Sequence, residues 1–327
     1  RDRSPSRGLG DVYKRQEELP MMKKHFKKLV NLALTAVMVM GMSTTTFAKE
    51  SNNISNDTVT KTNNIIYSPE FPDAYIVTET SPAPNNYSLN NESKQLDTIT
   101  ATVFVEETLA TDKNEDIYVS NSRLLSKDEV ENIGIDNFSN INTMSTSRAA
   151  KRTYGKLTLT FSGSQSISGK SVSCKLNGNA NWDFGAFTSS EKNPAIGKDF
   201  MGITWSGLFT TNSSSCSATD LTGKVTYPTM VDSIANGGRV WSFEESLFED
   251  HFANYNKNIN ATINIKKNTM TGNGNTAEAV LKYIHTYQKT TGSVSMNVGS
   301  DSVSAGFTLS NVKNQWSLVC NITGIYY

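Results

Sequence analysis

The chain is 327 residues long, 37% hydrophobic and 19% charged, with 31 basic and 31 acidic residues, which is material for a sizeable core. The zero net charge sums three unlike parts: residues 1–48 carry +5, 49–153 carry −7, and 154–327 carry +2. No basic block appears beyond residue 28, which excludes the electrostatic footprint of a nucleic-acid-binding protein.

Residues 21–48 have the three parts of a secretory signal: Lys23, Lys24, Lys27 and Lys28 in front, a mostly apolar run over 29–42, and a small-residue tail ending Thr46-Phe47-Ala48. The apolar run is shorter than the roughly 20 residues a membrane-spanning helix needs, and Asn31, Thr35 and Gly41 interrupt it. Cleavage after Ala48 is expected, with a secreted, extracellular product that meets a membrane only through the signal during export. The run RDRSPSRGLGDVYKRQ resembles assembly artefacts at the ends of metagenome-derived sequences, so 1–20 is expected to be a spurious or disordered leader.

Asn, Ser and four prolines crowd residues 49–95, a composition that predicts a disordered segment. Over 96–140 a small acidic α+β unit is predicted. Ile99, Ala101, Val103 and Val105 alternate with polar residues as in a strand, and Ile117–Val119 can pair back on it. Ser126-Lys-Asp-Glu129 is a capping box for a short helix from Lys127 to Ile133, ended by Gly134. Residues 141–153 read as a linker. Arg148 and the pair Lys151-Arg152 would suit a trypsin-like protease there, which would make the preceding part a pro-region.

From 154 to 327 the chain is β-rich. Leu157, Leu159 and Phe161 alternate, as do Ile259, Ala261, Ile263 and Ile265, and shorter strands are expected at 172–176, 200–205 and 223–227. Asn177, Asn179, Asn181 and Asp183 surround a Gly and read as a hairpin turn. The Thr271-Gly-Asn-Gly-Asn275 turn signal makes 277–289 the returning strand of a hairpin, although Val280, Leu281 and Ile284 also fit a helix. Ser242-Phe-Glu-Glu245 is a second capping box, with Phe243, Leu247, Phe248 and Phe252 on one face of a predicted helix. Short strands follow at 293–298, 302–309 and 315–322. Together these predict a mainly β protein, its C-terminal domain β-sandwich-like, preceded by a signal peptide, a disordered segment and the small acidic unit.

Catalytic signatures are missing. Beyond the signal there are two histidines, His251 and His285, with no His-Glu-x-x-His, Cys-x-x-Cys or Gly-x-Ser-x-Gly pattern, so no catalytic, cofactor or metal residue is assigned and no cofactor is expected. Of the three cysteines, Cys174 and Cys216 form the favoured disulfide if one exists, with three unbonded buried thiols as the alternative. The four tryptophans, Trp182, Trp205, Trp241 and Trp316, would be a sugar-stacking platform if exposed in a row and core if turned inward; the alternation around Trp316 favours core.

The final stretch, with Tyr283-Ile-His-Thr-Tyr287, Gly292-Ser-Val-Ser295, Phe307-Thr-Leu-Ser310 and Gln315-Trp-Ser-Leu-Val-Cys-Asn-Ile322, resembles the ends of secreted proteins grouped with the large, heat-labile geobacillin bacteriocins. That resemblance implies a bacteriocin-like extracellular effector without enzymatic activity. The alternatives are a β module that binds a glycan or a target-cell envelope, and a secreted hydrolase, which would need His251 or His285 beside a Cys, Ser or carboxylate in a cleft.

Overall fold

Alternation of apolar and polar residues builds most of this structure. The computed structural model describes residues 65–83, 93–111, 113, 117–135, 151–184, 198–220, 223–244, 246–248, 251–254, 256–270, 275–287, 292–296 and 306–327. All of them lie in one compact unit that runs from Thr60 to Tyr327. The signal at 21–48, the leader at 1–20, and the expected cut sites at Ala48 and Arg148 lie outside the described residues.

In chain order the first elements are β1 (Ile66–Tyr67), β2 (Ile76–Ser81), β3 (Ser93–Gln95), β4 (Thr98–Thr111), β5 (Ile117–Leu124) and α1 (Lys127–Ile133). The long strands β6 (Lys151–Ser168) and β7 (Ser171–Phe184) follow, then β8 (Lys198–Trp205), β9 (Thr210–Asp220), β10 (Val225–Thr226), β11 (Thr229–Ile234) and β12 (Gly238–Glu244). The remainder are β13 (Ser246–Phe248), β14 (His251–Asn254), β15 (Asn256–Lys267), β16 (Thr276–Thr286), β17 (Ser293–Met296), β18 (Phe307–Ser310) and β19 (Gln315–Tyr326).

These strands form a β-sandwich of two antiparallel sheets. A nine-stranded sheet runs β10-β9-β15-β7-β6-β4-β2, with β3 added to β6 and β5 to β4. A six-stranded sheet runs β1-β19-β16-β8-β12-β11. Their inner faces share one core. Ile99, Val103, Leu157, Phe161, Leu176 and Ile263 come from the first sheet; Ile203, Trp205, Leu281, Tyr283, Leu318 and Ile322 come from the second. The sheets approach closely where β7 faces β16. A Cβ on Gly178 would lie 2.6 Å from Leu281 Cδ1, so any larger residue there would force the Leu281 side chain to shift. The outer face of the six-stranded sheet is covered as well: Phe200, Val240 and Ile284 pack with Met296, Phe307 and Leu309 of the β17–β18 hairpin.

The first capping box forms as read. The Ser126 side chain accepts from Glu129 N, the Glu129 side chain accepts from Ser126 N, and Gly134 ends α1 at φ 87°, where a side chain would be strained. The second does not form. Ser242 and Phe243 lie in β12, opposite Phe200 and Asp199 of β8, and β13 and β14 make a small hairpin where the helix was expected. Pairing with β8 and burial of Trp241 and Phe243 in the shared core outweigh a local cap.

Three further expectations are corrected. Ile66–Tyr67, Ile76–Ser81 and Ser93–Gln95 are strands inside the segment expected to be disordered; they add to sheet edges and so need no core of their own. The acidic unit is not separate. β4 pairs with β6 from Ile99↔Phe161 to Leu109↔Lys151, and its apolar residues enter the common core. Lys151-Arg152 therefore sits in a sheet ladder, not in a linker, with Arg152 Nη1 3.6 Å from Glu106 Oε2. Lastly, β16 is a strand but not the partner of β15. β15 is already flanked by β7 and β9, so the chain crosses to the other sheet, where β16 pairs with β8 and β19.

Candidate functional site

Two polar constellations stand out, one closed and one open. The closed one lies between the sheets at His285. Its Nδ1 is 3.0 Å from Asp199 Oδ2 on β8, and its Nε2 is 3.3 Å from Glu107 Oε1 on β4. Asp199 also accepts from the Tyr283 hydroxyl and, at 2.9 Å, from Thr286 N. Trp182 Nε1 donates to the Tyr283 hydroxyl at 2.8 Å, and Trp316 Nε1 donates to Ser122 Oγ at 2.9 Å. The imidazole ring is packed by Trp316 at 5.0 Å and Trp182 at 5.4 Å.

This cluster meets half of the requirement for a hydrolase, since His285 does lie beside carboxylates. It fails the other half. His285 is 2% exposed, Asp199 0% and Glu107 4%, so no substrate reaches them. The carboxylates face opposite ring nitrogens and share no point at which a cation could sit. Among the described residues no group of three or more His, Cys, Asp or Glu is arranged for a metal ion. What the arrangement can do is hold the sheets in register. One charged or hydrogen-bonded group left without its partners here would be costly. The His251 side chain lies outside the described residues.

The cysteines are placed where they cannot bond to one another as expected. All three are free and buried. Cys174 on β7 is opposite Ile265, and Cys216 on β9 is opposite Ala261, so β15 runs between them and they are four residues out of step along it. Two strand spacings and that offset place the α-carbons roughly 16–17 Å apart, far beyond the reach of a disulfide. Burial pushes the Cys174 and Cys216 thiols up to about 12 and raises Cys320 as well, so none is an activated nucleophile.

The tryptophans are core. Trp182, Trp205, Trp241 and Trp316 are all 3% exposed or less, and there is no stacking platform.

The open constellation is the outer face of the nine-stranded sheet. Asn177, Asn179 and Asn181, expected in a hairpin turn, lie within β7 and point outward, while Gly178, Ala180 and Trp182 point inward. The turn reading followed the low strand propensity of Asn and Gly; the strand forms because its other face is buried. In register with these residues the face forms rows. One row runs Thr219, Asn258, Asn181, Thr158, Thr102 across five strands. The next runs Ser217, Asn260, Asn179, Thr160, Thr100, and a third Ser215, Thr262, Asn177, Ser162. Every member is Ser, Thr or Asn, and none is charged.

Side chains within this face orient one another. Asn179 Nδ2 donates to Asn258 Oδ1 at 3.1 Å and to Asn260 Oδ1 at 2.7 Å. Thr262 Oγ1 donates to Asn177 Oδ1 at 3.1 Å, and the Thr102 and Thr158 hydroxyls are 3.0 Å apart. Each amide and hydroxyl has more donors and acceptors than these bonds use, and the rest face solvent. The result is a flat, uncharged lattice of hydrogen-bonding groups, spaced about 4.8 Å across strands and about 6.8 Å along them. Among the described residues charges border these rows: on β2, exposed Glu79 lies opposite Thr100 at the edge of the middle row. Lys156 Nζ pairs with Asp183 Oδ2 at 3.3 Å on one side; Lys175 and Lys266 lie on the other. The alternation of Asn over 177–181 was the sequence signal for this face.

No family model matches this chain, and no curated protein matches it. Among solved structures it is similar to the collagen adhesin CNA from S. aureus, at 7% identity and TM-score 0.21 over 67% of this chain and 88% of that one. A structure concerned with pH-induced modulation of Streptococcus parasanguinis adhesion by Fap1 fimbriae gives 8% identity and TM-score 0.21 over 50% of this chain and 80% of that one. The C-terminal domain of the Streptococcus agalactiae AgI/II polypeptide BspA gives 10% identity and TM-score 0.21 over 75% and 99%. At such scores these likenesses assign no function, and among the described residues no helix is long and apolar enough to cross a membrane.

Proposed function

We propose that this protein is a secreted, non-enzymatic module that binds a polyhydroxylated polymer of a cell envelope through the outer face of its nine-stranded sheet. The observation that carries the reading is the set of three uncharged Ser/Thr/Asn rows in strict register. An exposed surface held open only for solubility is normally interspersed with charges of both signs. A glycan offers hydroxyl groups at repeated spacing, and amides and hydroxyls match them as donor or acceptor without the cost of burying a charge. Each such bond contributes only about 0.5–1.5 kcal/mol, so single contacts are weak and binding grows with the number of rows engaged.

Export by the expected signal would bring the face to such a target. An effector action on neighbouring bacteria, implied by the C-terminal resemblance, is compatible with the same face; growth inhibition separates it from binding alone. The test is sedimentation of the full chain with purified envelope polysaccharides, neutral and acidic. The double variant Asn179→Glu, Thr160→Glu puts charge in the middle row while leaving the core intact. Binding by the parent and a loss of tenfold or more in the variant support the reading. Equal binding by parent and variant, or no binding across the panel, overturns it.

A further inference from the structure

We propose that the face ends in a subsite for an acidic sugar unit, held by Lys175 and Lys266. This rests on the glycan-binding reading and adds its ligand class. A cavity of about 240 Å³ opens at that end of the sheet, lined by Ser164 and Ser166 of β6, Ser173 and Lys175 of β7, and Asn264 and Lys266 of β15. The register explains why the two lysines meet there. Lys175 lies opposite Asn264 and Ser164, and Lys266 lies opposite Ser173, so the lysines are diagonal neighbours on adjacent strands, roughly 7–8 Å apart at the backbone.

The cavity is electrostatically one-sided. No carboxylate of the described residues lines it. Lys175 and Lys266 have no ion-pair partner among the described residues, unlike Lys156, which pairs with Asp183 at the other end of the face. Two like charges held near one another in a hollow repel, and an anion between them relieves that repulsion. The floor is fixed: Gln165 donates through Nε2 to Tyr326 O and accepts through Oε1 from Tyr326 N at 3.2 Å, so its amide is occupied and the hollow keeps its shape. The volume suits one sugar ring more than an extended ligand. Serine hydroxyls and the Asn264 amide would meet ring hydroxyls, and the ammonium groups would meet a carboxylate or phosphate on that ring.

The experiment titrates the full chain with three probes: polygalacturonate, a poly(glycerol phosphate) polymer and neutral dextran. Each is measured at low and high salt, for the parent and for the double variant Lys175→Gln, Lys266→Gln. The parent should bind at least one anionic probe about tenfold tighter than dextran, with a preference that fades as salt rises. The double variant should lose that preference and keep its dextran binding. Preference for polygalacturonate alone identifies a carboxylate, and preference for the phosphate polymer alone identifies a phosphate. A parent without anionic preference, or a variant that retains it, overturns the subsite. The row variant Asn179→Glu, Thr160→Glu separates the two readings. If it abolishes dextran binding while the lysine variant changes nothing, the subsite fails and the face stands. If anionic binding depends on the lysines but dextran binding never occurs, the subsite stands and the wider face fails.

Discussion

The nine-stranded and six-stranded sheets share one core, yet they differ in how many of their faces meet water. In the first, β15 reads Asn258, Ile259, Asn260, Ala261, Thr262, Ile263, with every second residue buried. In the second, all of β8 after Lys198 is buried, as is all of β16 from Ala279 on, because the β17–β18 hairpin covers the face turned away from the core. A sheet with one wet face shows a two-residue period, and a sheet buried on both sides shows a continuous apolar run that a helix could also supply. The wet face is free to bind, and the doubly buried sheet is free only to hold.

Four measurements would break or sharpen that contrast. The largest expected effect is on a rate. With thiols at about 12, Cys174 and Cys216 should react with an alkylating reagent at neutral pH at least about 10³-fold more slowly than an exposed cysteine, and buried Cys320 likewise. Mass spectrometry of the native and urea-unfolded protein should count no fast thiols and then three; a native disulfide would contradict the strand placement.

Stability comes next. Trp182→Ala should cost about 3–5 kcal/mol in urea unfolding, whereas Asn179→Ala, on the opposite face of the same strand, should cost under about 1 kcal/mol. Similar costs would mean that the outer face is structural rather than available for binding. Gly178→Val should cost about 1–3 kcal/mol by crowding Leu281, and combining it with Leu281→Ala should cost less than the two single changes added together. Strict additivity of the two changes would argue against the close approach.

The smallest effect concerns pH. The Glu129 carboxyl is held below its ordinary value, first by the Ser126 backbone N–H and then by Arg123. Its folded value is below its unfolded one, so this stabilisation is present above the ordinary carboxylate range and is lost as pH falls through the folded value. The side chain is 39% exposed, which screens the contribution to well under about 1 kcal/mol. Glu129→Gln should flatten the acid side of the stability profile; an unchanged profile would remove the cap from the list of stabilising features.

Legibility followed the same division. The strands at Ile99, Leu157 and Ile259 and the box at Ser126 were readable because their patterns are local and one side of each element meets solvent. The Ser242 box misled because Trp241 and Phe243 find partners in a sheet that no local signal announces. The candidate face was half readable. Asn177, Asn179 and Asn181 showed the period, but their low strand propensity concealed the strand. The His285 cluster was not readable, since Glu107, Asp199 and His285 come from three strands far apart in the chain.

By itself the sequence determined that the chain is mainly β, that its alternating strands bury one face, and that Ser126 to Gly134 makes a short capped helix. Those outcomes depend on neighbours within a few residues, whose side chains and backbone groups meet whatever the rest of the chain does. Only the tertiary structure decided that the acidic segment and the C-terminal part share one sheet, that the cysteines stand apart, and that scattered Asn, Ser and Thr residues line up in rows. Strand order and register are set by which apolar faces can be buried together, and that depends on the whole core at once.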